Sequence, residues 1–313
     1  MKENETKTIR EAYVQASSFL RAAGIAEAEM SARRLLAKQL GIADAELLWR
    51  FPEPFPSAAA AGWQALLARR AAGEPLQYIL GEQEFYGLPF RVTPAVLIPR
   101  PETELLVEAV VRHGRRMWPQ AGEAAAAGEG ACGAAGPGAA AGPLVADIGT
   151  GSGAIAVTAA VQCPGWAVAA VDLSPEALAV AQENAARNGA AARIRWLQGD
   201  LLQPLKQAGL APDILVSNPP YIPSGDIPGL QREVRQHEPL LALDGGANGL
   251  TPYRRMTAQL AEFAVWPRLV GFEVGIGQAE EVAALLKATG RFDWFENVPD
   301  YAGIPRHVIA GRG

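Results

Sequence analysis

Leu144-Val145-Ala146-Asp147-Ile148-Gly149-Thr150-Gly151-Ser152-Gly153 decides the fold. Leu144 to Ile148 is a short apolar run of strand length, and the apolar stretch Ala154 to Val161 behind the glycines has helix length. The same alternation continues outward. Strands are expected at Ala167 to Val171, Ile194 to Leu197 and Ile214 to Ser217, with a helix from the cap Ser174-Pro175-Glu176 to about Asn188. A helix around Tyr253 to Phe263 and strands near Leu269 to Val274 and His307 to Ala310 complete the series. Strands alternating with helices predict an α/β domain with a mostly parallel, Rossmann-like sheet.

Glycine at every second position of the loop lets the backbone turn sharply and approach a ligand, and the following helix N-terminus faces that ligand. Asp172 ends the next strand 19 residues beyond Gly153, placed to accept hydrogen bonds from a ribose diol. A nucleoside cofactor is therefore expected, against the plainer reading of a tight turn with Asp172 as a helix cap. Gly149, Gly151 and Ala154 also satisfy the dinucleotide form G-x-G-x-x-A. Asp147 to Gly153 resembles the first motif of class I S-adenosylmethionine-dependent methyltransferases. That resemblance implies that Asp147 helps hold the amino-acid end of the cofactor, with Gly149, Thr150, Gly151, Ser152 and Gly153 as its cradle. It also implies an adenine contact at Asp200, with Leu201 beside it; as a residue, Asp200 reads equally as a cap or turn.

Val216-Ser217-Asn218-Pro219-Pro220-Tyr221-Ile222-Pro223 ends the fourth strand on the same side of the sheet. Two prolines after an amide make a serviceable turn. In an open α/β sheet, however, ligands bind beyond the carboxyl ends of the strands. An amide or exocyclic amino nitrogen is a poor nucleophile, so its methylation depends on holding the NH2 group against the methyl donor. The Asn218 side-chain oxygen and the Pro219 carbonyl could accept the two N–H bonds, and Tyr221 could offer a flat wall. Asn218, Pro219 and Tyr221 are the expected catalytic residues, and Asn218, Pro219, Pro220, Tyr221 and Arg100 the expected substrate contacts; Asn218 is also expected to touch the cofactor. For Arg100 an exposed helix-start role is the competing reading.

Residues 1–72 carry helical spacing only: Ile9, Tyr13, Ala16 and Leu20, then Ala28, Ala32, Leu35 and Leu36, with Gly24 and Gly41 as stops. With Leu47-Leu48-Trp49 and Trp63, Leu66, Leu67 and Arg70, they suggest a bundle of about four helices. Aromatic and β-branched residues broken by glycine over 73–98 suggest a β-hairpin linker. Residues 99–313 then form the catalytic domain, its first helix started by Pro99-Arg100-Pro101-Glu102-Thr103-Glu104. Within it, 121–143 is almost wholly Ala, Gly, Glu and Pro and reads as a flexible insert.

Gly73-Glu74-Pro75-Leu76-Gln77-Tyr78-Ile79, Val96 to Glu104, Asp147 to Gly153, Asn218 to Ile222, Glu238-Pro239, Asp244-Gly245-Gly246 and Gly249-Leu250 together resemble the bacterial release factor glutamine methyltransferases, the PrmC or HemK family. The resemblance covers nearly the whole chain. N-P-P-Y is shared with methyltransferases of bases and of other glutamines; Ile98-Pro99-Arg100-Pro101-Glu102-Thr103-Glu104 is the more specific stretch. The family implies S-adenosylmethionine as cofactor, methylation of the glutamine nitrogen in the Gly-Gly-Gln loop of peptide chain release factors, and an N-terminal helical domain that docks the factor. Two departures stand out: a longer Ala/Gly-rich insert, and Leu201 where the family often has an aromatic residue. N-methylation of a nucleic-acid amino group, or of a ribosomal-protein glutamine, is the alternative activity, and a cofactor sensor without catalysis the alternative class.

The remaining composition limits the field. Of 313 residues, 49% are hydrophobic and 19% charged, an ordinary globular balance. A formal net charge of -5 speaks against a phosphate backbone as main partner. Two cysteines and three scattered histidines offer no metal-ligand spacing and no Ser-His-Asp triad. No apolar run reaches the ~20 residues of a membrane span, so a cytoplasmic location without membrane partners is expected.

Overall fold

Helical spacing in the first residues gives α1 (Ile9–Ala22) and α2 (Ala28–Leu40), in a computed structural model that describes residues 7–122 and 142–313. A capping box starts α1: the Thr8 hydroxyl accepts from the Glu11 N–H, and the Glu11 carboxylate accepts from the Thr8 N–H. Then follow α3 (Ala60–Ala71) and α4 (Leu76–Leu80). Ile9, Leu20, Leu35, Leu36, Trp63, Leu76 and Ile79 pack one apolar core.

Two expectations fail in this region. Leu47-Leu48-Trp49 forms turns, not helix, with Leu47 buried and Trp49 86% exposed. Gln77-Tyr78-Ile79-Leu80, expected in the hairpin, is α4 instead. Pro75 fixes its start, Gly81 closes it in the left-handed region, and the spacing of Leu76 and Ile79 buries both in the helical core. Tertiary packing here overrides the β-propensity of Tyr78 and Ile79. The helical unit extends as far as Glu82, ten residues beyond the expected 72, and takes in Gln231–His237. In that distant segment Glu233 accepts from the buried Arg70 guanidinium at 2.8 and 3.2 Å.

The second unit comprises Gln83–Leu230 and Glu238–Gly313. β1 (Glu82–Phe85) and β2 (Leu88–Arg91) form a two-stranded sheet, shorter than the hairpin expected over 73–98. α5 (Pro101–Met117) has proline at its first turn and Glu102 and Glu104 beside the positive end of its dipole. Next come β3 (Leu144–Ile148), α6 (Ala154–Gln162), β4 (Ala167–Asp172), α7 (Pro175–Arg187), β5 (Ile194–Gln198), α8 (Gln203–Gln207) and β6 (Ile214–Ser217). The chain continues through α9 (Arg232–His237), α10 (Thr251–Leu260), β7 (Leu269–Glu273), α11 (Ala279–Ala288), β8 (Trp294–Pro299) and β9 (Pro305–Gly311).

The seven-stranded sheet has the order β5-β4-β3-β6-β7-β9-β8. β5, β4, β3, β6 and β7 are parallel, and β9 runs antiparallel to both β7 and β8. The central strands are buried on both faces: Val145, Ile214 and Val216 join one core, Ala146, Ile148 and Leu215 the other. Sequence reading misses α11 and β8. The latter is a half-exposed edge strand ending in Pro299, with little of the alternation that marks strands.

Residues 123–141, most of the insert expected to be flexible, lie outside the described residues. Its expected first residue, Ala121, is part of a 3-10 turn, Pro119–Gly122, and is buried in the core, so the packed chain runs further than its composition suggests. No helix of the described residues is long and apolar enough to cross a membrane.

Candidate active site

β3 is followed in sequence by β4 on one side of it and, later, by β6 on the other, so the strand order reverses at β3. Ligand crevices of open α/β sheets form at the carboxyl ends of strands at such a reversal. A cavity of about 860 Å³ lies there, lined by Gly149, Thr150, Gly151, Ser152, Asp172, Asp200, Leu201, Asn218, Pro220 and Arg100 among others. Residues from five separate expected stretches thus meet in one place.

Gly149 and Gly151 have φ of 71° and 55°, a backbone that L side chains rarely adopt. An added Cβ at Gly149 would meet nothing within 4 Å, so the glycine is required by the backbone angle and leaves open space above the loop. The loop is anchored from several directions. The N–H groups of Gly149 and Thr150 both donate to the Val171 carbonyl at 2.9 Å. The buried Asn184 amide donates to the Ser152 carbonyl at 2.9 Å.

Asp147 stands behind this loop, fully buried and away from the cavity wall. It accepts from the Thr150 hydroxyl at 2.6 Å and from the Ala156 N–H at 3.1 Å. Burial pushes its carboxyl up to about 7. Asp147 braces the glycine loop through Oδ2, while its buried Oδ1 has no hydrogen-bond partner. Gly153 likewise lies behind the wall, capping α6.

Asp172 lines the cavity at the end of β4, accepting from the Gly151 N–H at 2.8 Å and the Ser174 N–H at 2.9 Å. Burial raises its pKa, and those N–H groups oppose the rise. Asp200 also lines the wall, paired there with Arg255. Leu201 adopts φ of 51°, a strained angle for a non-glycine residue, costing roughly 1–2 kcal/mol.

Ser217 at the end of β6 donates to the Ile148 carbonyl at 2.6 Å and brings Asn218 beside the glycine loop. The Asn218 NH2 group donates to the Thr103 hydroxyl at 3.1 Å, and that hydroxyl donates to Glu273 at 2.6 Å. These contacts use the nitrogen end of the amide and leave its oxygen for a ligand. Glu273 is 1% exposed, and burial pushes its carboxyl up to about 7. Thr103, Arg306 and the Asn218 amide favour its ionised form, and Glu102 opposes it. His307, buried and held neutral by desolvation, places Nε2 4.0 Å from the same carboxylate. The Tyr253 hydroxyl donates to the Glu273 backbone carbonyl at 2.6 Å.

Pro219 and Tyr221 are not on the cavity wall. Pro219 is buried. The Tyr221 hydroxyl accepts from Arg306 at 3.0 Å, its ring lies 5.6 Å from that guanidinium, and burial pushes the phenol up to about 12. The Tyr221 side chain thus faces Arg306, and Pro220 lines the cavity. The D-G-G stretch explains why the loop holds this shape. A Cβ on Gly245 would come within 2.8 Å of the Pro220 oxygen and the Tyr221 Cα, so only glycine permits that approach. Arg100 does line the cavity, held at 2.5 Å by the buried Glu238.

Sequence reading passed over Thr103, Asn184 and Glu273 as site residues. A carboxylate closing the apolar run Leu269-Val270-Gly271-Phe272 was the available signal for Glu273, since buried acids need partners. Leu240 and Leu241, both more than half exposed, also line the cavity and were not anticipated. Among the described residues no three His, Cys, Asp or Glu side chains cluster as metal ligands.

Comparison with known proteins agrees with this architecture. The PrmC N-terminal domain model matches residues 11–81, and the methyltransferase small domain model matches residues 139–234. Among solved structures, the hMettl16 catalytic domain in complex with MAT2A 3'UTR hairpin 1 superposes with a TM-score of 0.53 at 14% identity, covering 79% of this chain and 80% of that one. That likeness concerns the fold alone. The Release factor glutamine methyltransferase of Moorella thermoacetica is 44% identical over 97% of this chain and 99% of its own length. The protein of the same name from Geobacter sulfurreducens is 42% identical, covering 98% of each. At such identity over essentially complete lengths, the chain belongs to the release factor glutamine methyltransferase family.

Proposed function

We propose that this chain transfers a methyl group from S-adenosylmethionine to the side-chain amide nitrogen of the glutamine in the Gly-Gly-Gln motif of peptide chain release factors, in the cytoplasm. The observation that carries the reading is the Asn218 amide, held by its nitrogen on Thr103 with its oxygen left for a ligand, at the rim of a glycine-loop cavity.

The cavity residues fit the cofactor. Gly149 and Gly151 leave open backbone at the end of β3, and the Asp172 carboxylate stands at the end of β4 where a ribose diol would meet it. When bound, S-adenosylmethionine supplies an electrophilic methyl carbon. Methyl transfer forms one N–C bond, breaks the methyl–sulfur bond and releases one proton from nitrogen. The Asn218 oxygen at the cavity wall accepts a substrate N–H bond and aims the nitrogen lone pair at that carbon, an orientational contribution. Arg100 contacts the substrate backbone beside them. The helical unit, with no candidate catalytic constellation of its own, docks the factor.

The test incubates the full chain with methyl-labelled S-adenosylmethionine and, separately, a purified release factor, a ribosomal protein and duplex DNA, and locates the label by mass spectrometry. Label on the Gly-Gly-Gln glutamine is expected. Label on a base or on the ribosomal protein, with the release factor untouched, would overturn the reading.

A further inference from the structure

The Thr103 hydroxyl has one proton and sits between two polar groups. Its partner at 2.6 Å is a Glu273 carboxylate oxygen, its partner at 3.1 Å the Asn218 amide. A hydroxyl that gives its proton to a carboxylate has only lone pairs left, and only the NH2 end of an amide can meet them. Were the direction reversed, the Asn218 oxygen would face Thr103 and its NH2 the cavity. A donor would then oppose the donor of an incoming NH2 substrate. Thr103 reaches the cavity wall while Glu273 stays behind it. The carboxylate thus stays behind the wall and acts on the Asn218 amide through the threonine and through its own interaction with that amide.

We propose that Thr103 and Glu273 are positioning residues: a one-way hydrogen-bond chain from the Asn218 NH2 through the Thr103 hydroxyl to the Glu273 carboxylate fixes the amide with its oxygen toward the substrate. Asn218 belongs to α5 and β7 as much as to its own loop in this respect, because Thr103 lies on the first turn of α5 and Glu273 ends β7. Burial makes the pair effective: Thr103 is 4% exposed and Glu273 1%, so water competes poorly for either bond. The inference rests on the methyl-transfer reading for its catalytic consequence, but the orientation of the amide is a property of the chain itself.

Two readouts separate the inference from that reading. The first is the side-chain NH2 resonance pair of Asn218, assigned by its loss in Asn218→Ala, followed for solvent exchange in the full chain without cofactor or substrate. Slow exchange is expected in the parent chain and in Thr103→Ser, with exchange at least several-fold faster in Thr103→Val and Glu273→Gln. The second is steady-state turnover of a purified release factor. Thr103→Val and Glu273→Gln should lower kcat on the order of 100-fold with KM changed only a few-fold, and Thr103→Ser should restore most of the loss. Equal exchange in the parent and Thr103→Val, or a Thr103→Ser variant as impaired as Thr103→Val, overturns the chain of bonds. A parent chain that shows the protected NH2 pair yet leaves the release factor unmethylated overturns the substrate reading and upholds the orientation.

Discussion

The Ser217 hydroxyl and the Ile148 carbonyl meet at 2.6 Å, joining the last residue of β6 to the last residue of β3. Through this bond the amide of Asn218 and the backbone of Gly149 share a rim. Both groups are fully buried, so Ser217→Ala removes a bond that water cannot replace. A loss of about 1–3 kcal/mol in unfolding free energy is expected, read by urea denaturation. Turnover should fall as well, because the rim loosens.

Asn218→Ala removes the acceptor without touching the glycine loop. The variant should fold, bind S-adenosylmethionine with near-parental affinity and turn over on the order of 100-fold more slowly. Calorimetry and a release-factor methylation assay check the two halves. Full turnover in a folded variant would reduce N-P-P-Y to a strand-ending turn.

Asp172→Ala removes both a cavity wall group and the acceptor for two N–H groups, those of Gly151 and Ser174. Cofactor affinity should weaken by roughly 1–3 kcal/mol, and the melting temperature should drop at the same time. Unchanged affinity by calorimetry would remove Asp172 from the cofactor site.

Glu273 titrates at about 7 in the fold against an ordinary 4.5. The native state therefore binds more protons than the unfolded chain between these values, so stability declines as pH rises through that window and levels off above 7. Asp147, raised to about 7 from 3.8, acts in the same direction. Glu273→Gln should accordingly raise stability relative to the parent by ~1–3 kcal/mol near pH 8 and by little near pH 5. Activity should follow the opposite course, rising through about pH 7 as the carboxylate forms, with Arg306, Glu102, His307, Tyr221 and Tyr253 as the charged and titratable neighbours that set the midpoint. Thermal melts and rate–pH profiles of the two proteins check both slopes.

What could be read from sequence was what neighbouring residues decide among themselves. A glycine loop between a strand and a helix, an acid at the next strand end and an amide before two prolines are local patterns, and their shared position follows from the topology of α/β sheets. The pairing of Thr103 with Glu273 spans 170 positions, and periodicity carries no information about it. Asp147 shows a different difficulty: a family motif marks the residue as important, but the direction of its side chain depends on Thr150 and Ala156. Tyr78 and Ile79 have strand-like composition and lie in a helix because Pro75, Gly81 and the surrounding core outweigh it.

The ion pair between Arg70 and Glu233 sets an order on the making of this protein. Its two members are 163 positions apart, so Arg70 leaves the ribosome long before Glu233 is synthesised. In the finished unit the Arg70 side chain is 4% exposed, and a buried charge that lacks its partner is destabilising by about 3–5 kcal/mol. The nascent helices therefore emerge before the charged partner of Arg70, with Ser31 and the Glu74 carbonyl as its neighbours until residue 233 is translated. A protease challenge of ribosome-stalled chains, halted before and after α9, should register that delay as a late gain in resistance of the first helices.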